Sequence, residues 1–416
     1  MHPFTLVFLV FLAAMALTRL WLSRRQERYI LAHRDSVPAA FAEKIALEDH
    51  HKAADYSIAK LRLGRWSLAW EALWLLIWTL GGGIDFIDQW WRAQELGPLA
   101  TGIGVILSIT LLMSLLDLPF SWYSTFVIEQ RFGFNKMTLK LWISDLLKAG
   151  VLMLVIGIPL VAAILWLMNQ AGEWWWLYAW GVWAGFTLLM IWAYPSFIAP
   201  LFNKFEPLQD ESLKQRIENL LQRAGFHSQG VFVIDGSKRS AHGNAYFTGF
   251  GRNKRIVFYD TLLESLSPEE VEAVLAHELG HFKRHHIRKS LALSLLVALG
   301  GFALLAWLMQ QPWFYTALGV STPSTHAALV LFMLVLPVFS FFLGPLFAML
   351  SRKHEFEADE FASQQSNPRA LISALVNLYR ENASTLTPDP VHSAFYDSHP
   401  PASIRIQHLE RLAHSG

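Results

Sequence analysis

The chain of 416 residues is 53% hydrophobic and only 16% charged, which favours a membrane-embedded protein over a soluble one. It contains no cysteine, so disulfides and thiolate metal sites are excluded, and any transition metal must be bound by histidines and carboxylates. The net charge of +1 comes without a dominant Lys/Arg-rich block, which gives no support for nucleic-acid binding.

Seven stretches of the chain are apolar enough, and at about 20 residues long enough, to be candidate membrane-spanning helices. The second stretch is the least regular, because Glu71 interrupts it and the glycines at 81–83 weaken its end. We therefore expect this span to be tilted or bent. The predicted spans cover residues 4–22, 66–84, 99–120, 146–168, 174–194, 290–309 and 327–350.

The first stretch has features of a secretory signal peptide and of an uncleaved anchor. Arg19, Arg24 and Arg25 follow its apolar run and no basic residue precedes it, which reverses the charge order of a signal peptide and favours the anchor. If the N-terminus is outside, the external loops contain only one basic residue, Arg92. The positive-inside rule therefore predicts this orientation, with a cytoplasmic C-terminus.

The spans divide the chain into four parts. Residues 1–195 hold membrane helices 1 to 5 with their cytoplasmic loops, and residues 290–350 hold helices 6 and 7. The long polar regions 196–289 and 351–416 then both face the cytoplasm.

Two acidic residues, Glu71 and Asp117, are predicted to lie at bilayer depth. A charged side chain there costs about 2.5 to 3.5 kcal/mol on insertion scales and usually faces a water-filled interior. We therefore hypothesise a polar chamber between the membrane helices.

The polar region 196–289 starts with an amphipathic helix and continues into a small sheet. The helix is indicated by apolar residues at helical spacing, with Gly225 as the expected C-terminal stop. The apolar residues are Leu213, Ile217, Leu220 and Leu221. Three strands are predicted from segments rich in β-branched and aromatic residues, VFVID at 231–235, NAYFTGF at 244–250 and RIVFYD at 255–260.

A helix that carries a histidine motif follows this sheet. Ser267 as N-cap and Glu270 three residues later mark its start. His277 and His281 are four residues apart on one helix face, so both imidazoles can reach one ion, with Glu278 beside a bound water. This HExxH pattern also occurs by chance, and a catalytic zinc normally has three protein ligands. A third ligand must come from elsewhere in the chain.

The segment SRKHEFEADEFA, after the last predicted span, supplies candidates for the third ligand. Glu355 and Asp359 are four residues apart on a predicted helix. Glu355 can bind the metal while Asp359 accepts the N–H of a ligating histidine. Charge spacing alone leaves a solvated acidic surface equally open. His285 and His286, farther along the HExxH helix, are expected to be solvated at the membrane interface.

Six segments between about residues 120 and 412 carry a further signal. In chain order they are FVIEQRFGFNK, YPSFIAPLFNKFEPL, DGSKRSAHGNAYFTGF, HELGH, SRKHEFEAD and SHPPASIRI. Together they resemble CAAX prenyl protease 1, a family of multi-pass zinc endopeptidases of the a-factor-converting type. With the predicted spans, the resemblance implies a mainly α fold, a polytopic membrane protein with about seven transmembrane helices and a cytoplasmic zincin-like α+β metalloprotease domain.

The resemblance also implies which residues form the site. One zinc ion per chain would be bound by His277, His281 and Glu355, with Glu278 as general base. Asn244 and His399 would steady the tetrahedral intermediate. Without the resemblance, the favoured interpretations are a turn residue after Gly243 for Asn244 and a surface-loop histidine for His399.

Two further residues are candidates for substrate binding. Tyr246 lies in the predicted strand beside Asn244. Arg405 can capture a carboxylate or hold the site by ion pairing, and the sequence leaves its role open.

The predicted function is hydrolysis of peptide bonds in prenylated CAAX-type or other membrane-associated polypeptides. Zinc brings the pKa of a bound water toward about 7 and polarises the scissile carbonyl, while Glu278 accepts a proton and passes it to the leaving amine. The expected partners are peptide or lipidated protein substrates and the lipid bilayer. The expected location is a bacterial inner membrane or, in a eukaryote, the endoplasmic reticulum.

Two alternative functions remain open. A quality-control protease of the heat-shock type would share the histidine motif and the later glutamate motif, but would have fewer spans and lack the FGFNK and SHPP segments. A transporter would explain buried carboxylates among seven helices, but would give Glu278 no role.

Overall fold

The computed structural model describes residues 2–226, 228–248 and 255–415. Helices dominate this part of the chain, with one small sheet. The helices are α1 Pro3–Ala32, α2 Leu47–Trp78, α3 Gly83–Arg92, α4 Pro98–Tyr123, α5 Leu139–Gln170, α6 Trp175–Ala193, α7 Glu211–Arg223, α8 Asp260–Ser265, α9 Pro268–Lys283, α10 His286–Leu308, α11 Pro312–Thr316, α12 Thr325–Ser340, α13 Gly344–Gln365, α14 Pro368–Glu381, α15 Pro390–Tyr396 and α16 Ala402–Ser415. The strands are β1 Phe205–Pro207, β2 Val231–Ile234, β3 Ala245–Thr248 and β4 Arg255–Tyr259.

By length and composition, six helical segments of the described chain can cross a membrane, and a bent helix pair brings the number to seven. The bent pair is α2 with α3, whose axes differ by 48°. Gly82 sits in the bend with a φ of 77°, a left-handed conformation that glycine adopts without steric cost. The expected bend in the second span is therefore confirmed.

A buried ion-pair cluster joins α3 to the start of α12. Asp88 on α3 is fully buried, and one of its oxygens lies 2.6 Å from Nε2 of His326 on α12. Arg92 donates to the other oxygen at 2.8 Å. Because both oxygens have partners, a carboxylate can be buried at this depth.

Glu71 and Asp117 both line one cavity of about 220 Å³ between α1, α2, α4 and α12. Arg19 on α1 donates to Glu71 at 3.0 Å, so one of the two carboxylates is paired. Both carboxylates thus face an interior space, as the polar-chamber hypothesis requires. That water fills this space stays a prediction.

The predicted helix and sheet of region 196–289 are present. All four apolar residues of α7 are buried, Asp210 caps its N-terminus, and Gly225 beyond its end has a φ of 64°. The sheet has the order β1-β2-β4-β3, with β3 antiparallel to β4. The predicted strand 244–250 is observed as β3 from Ala245 to Thr248, and residues 249–250 lie outside the described chain.

The HExxH helix ends earlier than the sequence suggests. Helix α9 stops at Lys283, His285 takes a left-handed conformation with a φ of 59°, and α10 starts at His286. The expectation that His285 and His286 extend the motif helix is therefore wrong, because this single residue turns the chain into a new helix. His285 is exposed as expected, but His286 is buried with 3% exposure.

Helix α13 links the last membrane segment to the region that follows it. It runs without a break from Gly344 to Gln365, across the predicted division between residues 350 and 351. The four-part division of the chain stays a prediction. Because α13 is continuous, Glu355 lies on the same helix as the end of the last span.

Candidate metal centre

The start of α9 is fixed by its predicted cap and by contacts with α14. Ser267 accepts a hydrogen bond from the Glu270 N–H at 3.4 Å, and Glu270 accepts one from the Ser267 N–H at 2.8 Å. The second Glu270 oxygen accepts hydrogen bonds from Ser373 and Asn377 on α14. This capping box holds the histidine helix in position from its first turn.

Close packing of α9 against α13 brings the two predicted parts of the site together. A Cβ atom at Gly280 would lie 2.8 Å from the Cα of Ala358, which is closer than real Cβ contacts. Ala358 is itself fully buried. Glycine at position 280 therefore allows the two helix backbones to approach, and this approach carries Glu355 to the histidines.

The ligand atoms of His277, His281 and Glu355 all lie within 4.8 Å of one another. The two Nε2 atoms of the histidines are 3.2 Å apart. Oxygens of Glu355 lie 3.4 Å from Nε2 of His277 and 3.3 Å from Nε2 of His281. The structure thus gathers the three residues that the sequence proposes as metal ligands.

The spacing of these atoms is compatible with one shared metal ion. Ligands at about 2.0 to 2.1 Å from a zinc ion in tetrahedral geometry are separated by about 3.3 Å. The two Nε2 atoms lie at about this distance from each other, and each lies at about this distance from a different Glu355 oxygen, Oε2 for His277 and Oε1 for His281. Oε2 of the buried Glu355 has no hydrogen bond of good geometry within the described chain, and its nearest polar groups are Nε2 of His277 at 3.4 Å and Nη1 of Arg405 at 3.5 Å. A buried carboxylate oxygen without a good hydrogen bond is costly, and a cation would satisfy it.

The carboxylates next to the His277 imidazole also favour a positive charge at the ligand group. Burial lowers its pKa, and the Arg405 charge lowers it further. Hydrogen bonding to Asp359 and Glu355 outweighs both effects and raises the pKa to about 9. The carboxylates around this imidazole therefore stabilise a cation.

Asp359 lies directly behind the His277 ring. Nδ1 of His277 donates to Asp359 at 2.8 Å, which leaves Nε2 directed at the ligand group. Arg405 donates to both oxygens of Asp359, at 2.9 and 2.5 Å, and its Nη1 lies 3.5 Å from Glu355. Since Arg405 is only 7% exposed, this geometry supports ion pairing rather than substrate capture.

His281 has a partner that the sequence analysis missed. Its Nδ1 lies 3.1 Å from Nδ1 of His286, whose Nε2 lies 2.9 Å from a Glu357 oxygen. The His286 ring also stacks on His354 with the ring centres 4.0 Å apart. His286 and Glu357 can orient His281 as Asp359 orients His277. The HxxxHH pattern of residues 281–286 is the sequence signal for this partner, but the helix break at His285 changes which residues face each other.

Glu278 and His399 are the two remaining candidates for catalysis near the ligand group. Glu278 follows His277 directly in α9, its side chain is half-buried, and it makes no side-chain hydrogen bond with other described residues. His399 is mostly exposed, and its Nε2 lies 3.4 Å from an oxygen of Glu355. His399 is therefore close to the ligand group and accessible to a bound substrate.

Asn244 and Tyr246 lie at the edge strand β3, without a direct contact to the three ligand residues. The Asn244 side-chain oxygen accepts from the Ala245 N–H at 2.8 Å, which leaves its NH₂ group to donate elsewhere. Tyr246 is opposite Val257 of β4, and burial, with the neighbouring tyrosines, raises its pKa to about 12. Its hydroxyl therefore stays protonated at neutral pH.

A polar network fixes the turn before Asn244. His242 lies 3.2 Å from Asn382 and 3.3 Å from Glu129, and Tyr56 donates to Glu129 at 2.5 Å. Asn382 also accepts from the Gly243 N–H at 3.1 Å. The start of β3 is thus tied to the end of a membrane helix. Sequence reasoning missed this network because its members lie far apart in the chain.

The chain is similar to known membrane proteases in both sequence and structure. Residues 26–204 match a family model described as CAAX prenyl protease N-terminal, five membrane helices, and residues 207–413 match peptidase family M48. The chain is 35% identical to a CAAX prenyl protease 1 homolog of Oryza sativa subsp. japonica, covering 98% of this chain and 97% of that protein. It is 33% identical to CAAX prenyl protease 1 of Saccharomyces cerevisiae, covering 91% and 89%. The crystal structure of S. mikatae Ste24p superimposes with a TM-score of 0.90 at 33% identity, covering 98% of this chain and 99% of that one.

Proposed function

The chain belongs to the CAAX prenyl protease 1 family and is a multi-pass membrane metalloendopeptidase of the M48 type; from this premise we propose that it cleaves near the C-terminus of prenylated CAAX-type polypeptides. The predicted mainly helical, polytopic fold and the predicted enzyme class are confirmed by the same comparisons. The observation that carries the substrate proposal is that the likeness to CAAX prenyl proteases spans nearly the whole chain, membrane helices included.

His277, His281 and Glu355 would hold one zinc ion per chain. The fit rests on the 3.2 to 3.4 Å separations of their ligand atoms and on the buried Glu355 oxygen that lacks a hydrogen bond of good geometry. When bound at such a site, zinc acts as a Lewis acid toward a carbonyl and lowers the pKa of a water toward about 7. Asp359 and His286 would keep both imidazoles in the tautomer that presents Nε2.

Glu278 would be the general base and later the general acid. Its carboxylate has no competing partner among the described residues, so it can accept a proton from the attacking water and deliver it to the leaving amine. His399 and the NH₂ group of Asn244 would donate hydrogen bonds to the developing oxyanion. Tyr246 and the free edge of β3 would align an extended substrate by main-chain pairing.

We place the site on the cytoplasmic side of the membrane. This orientation rests on the distribution of basic residues, with Arg92 alone in an external loop of the predicted topology. The host membrane would be the inner membrane in a bacterium and the endoplasmic reticulum in a eukaryote.

The test of the substrate proposal is cleavage by the purified full-length protein. A farnesylated peptide ending in a CAAX sequence, its unprenylated form and an unfolded membrane protein should be compared as substrates. We expect the farnesylated peptide to be cleaved with the highest kcat/KM. Preferential cleavage of the unfolded membrane protein would support the heat-shock-type alternative instead.

We expect His286→Ala to weaken metal binding about 10- to 100-fold, because outer partners of ligating histidines typically contribute this much. Competition between the protein and a zinc-binding dye measures the affinity without an activity assay. His285→Asn is the matched control, since His285 is exposed and asparagine tolerates its left-handed conformation. Equal zinc affinities of wild type, His286→Ala and His285→Asn would show that His286 contributes only packing and does not orient His281.

A further inference from the structure

A groove of about 600 Å³ lies along one face of α1, and its lining includes no residue of the proposed metal centre. The wall is formed by side chains of α1 between Leu17 and Ala32 and by Asp389, the residue before α15. The volume lies within the range of about 300 to 1,000 Å³ that is usual for ligand pockets. A molecule in this groove would contact both α1 and the start of α15.

The exposed face of α1 changes from apolar to basic along this groove. Leu17 is 65% exposed and Trp21 is 53% exposed, and the exposed Arg24 and Arg28 follow at spacings of three and four residues. Tryptophan is enriched at the headgroup level of a membrane. With a rise of about 1.5 Å per residue, the two arginines lie about 4.5 and 10.5 Å beyond Trp21 along the helix axis. The face thus presents apolar groups to acyl chains and basic groups to lipid phosphates.

Arg24 and Arg28 differ from the neighbouring arginines in having no acidic partner. Within the described chain, neither has a carboxylate at ion-pair distance, although both line the groove. Every other arginine up to residue 65 is paired with a carboxylate. These pairs are Arg19–Glu71, Arg25–Asp389, Arg34–Asp55, Arg62–Glu27 and Arg65–Glu27. The fold therefore leaves the charges of Arg24 and Arg28 available to a ligand.

The one acidic residue in the wall, Asp389, does not cancel these charges. It is buried, and Arg25 donates to its Oδ1 at 2.8 Å. The same oxygen accepts from the backbone N–H groups of Val391 and His392, which caps α15. Three arginines and one carboxylate leave the groove with a net charge of +2. An anionic ligand is therefore attracted to it.

We propose that this groove binds one anionic phospholipid from the leaflet that borders the polar region 351–416, with the lipid phosphate on Arg24 and Arg28 and the acyl chains along Trp21 and Leu17. Two guanidinium groups four residues apart on a helix can both donate to one phosphate. A lipid fits better than a free phosphate, because the basic part of the groove continues into an exposed apolar face at headgroup depth. The site does not depend on the proposed substrate.

A lipid bound in this groove would stabilise the joint between α1 and α15. The Asp389 N–H donates to Gln26 of α1 at 2.6 Å, next to the contact between Arg25 and Asp389. A phosphate between Arg24 and Arg28 offsets the repulsion between like charges four residues apart on one helix. Because the groove exists only in the folded chain, lipid binding should raise the thermal unfolding midpoint.

The test measures lipid binding to the purified full-length protein in detergent by native mass spectrometry. Dioctanoyl phosphatidylglycerol is compared with dioctanoyl phosphatidylcholine, which has the same acyl chains and a phosphate but no net charge. We expect wild type to bind phosphatidylglycerol about 5- to 30-fold more tightly, the preference that one to two basic residues confer near a membrane surface. The double variant Arg24→Gln, Arg28→Gln should lose this preference, and phosphatidylglycerol should no longer raise its unfolding midpoint.

The matched control is the double variant Arg284→Gln, Arg288→Gln. It removes the same charge from two exposed arginines four residues apart, where α9 meets α10, and neither residue lines the groove. It should keep the lipid preference of wild type. Arg25 is left unchanged, because its loss would remove the cation of the buried Asp389. Thermal unfolding without added lipid confirms that each variant is folded.

Equal affinities of wild type for the two lipids would overturn the proposal. An equal loss of preference in both double variants would also overturn it, because the attraction would then come from the overall surface charge. Two competitors test other occupants of the groove. Displacement of the lipid by an equal concentration of glycerol 3-phosphate would assign the groove to a free phosphate, and displacement by hexaglutamate would assign it to an acidic peptide. Either result contradicts the lipid assignment and leaves the proposed protease function unaffected.

Discussion

Glu278→Gln is expected to lower kcat by about 10²- to 10⁴-fold while the protein retains its zinc. The amide has the shape of the carboxylate but cannot accept the proton of the attacking water. Glu278 contributes none of the three ligand atoms, so metal affinity should not change. Cleavage of a farnesylated CAAX peptide and the zinc content of the same preparation are the two measurements.

Glu269→Gln provides the control for this substitution. Glu269 is exposed near the start of the same helix, so an identical chemical change there should leave both activity and zinc content at the wild-type level. If Glu278→Gln keeps full cleavage, the general-base role is wrong and the transport alternative gains support. If it loses the metal as well, Glu278 acts on the site's structure rather than on the proton transfer.

Arg405→Met is expected to destabilise the fold by about 3 to 5 kcal/mol, the usual consequence of removing one partner of a buried ion pair. Asp359 is fully buried, and two of its hydrogen bonds come from Arg405. Methionine fills much of the same volume but leaves this carboxylate without its cation. Thermal unfolding in detergent with a chelator present measures the effect without contribution from bound metal.

The control for this variant is Arg411→Met on the same helix, at an exposed position. Its unfolding midpoint should stay close to that of wild type. A wild-type midpoint for Arg405→Met, combined with a raised KM, would instead support the alternative that Arg405 binds substrate.

Local signals made much of the fold predictable from sequence. The membrane segments follow from long apolar runs, and the break between α2 and α3 follows from Glu71 and the glycines that end this run. The capping box of α9 is encoded within four residues, and the apolar stripe of α7 within nine. Such features depend on neighbours in the chain, which is why they can be read without a structure.

The site was only partly predictable, because its completion depends on contacts between distant segments. The HExxH spacing predicts two ligands and the later acidic motif predicts Glu355 as a candidate third. The backbone approach that brings these residues together depends on Gly280 facing Ala358. His286 was misjudged because one left-handed residue, His285, redirects the chain. The edge position of β3 followed from strand pairing that no local pattern reveals.

The ligand group is divided between two helices that are each joined to a membrane span. Helix α9, with both histidines, precedes α10, whereas Glu355 arrives on α13 after α12. During synthesis, a ribosome that has released only the first of these helices presents two ligands without the third. If these three residues bind the metal as proposed, high-affinity metal binding requires insertion of the final pair of spans. Incompletely inserted chains would then lack proteolytic activity.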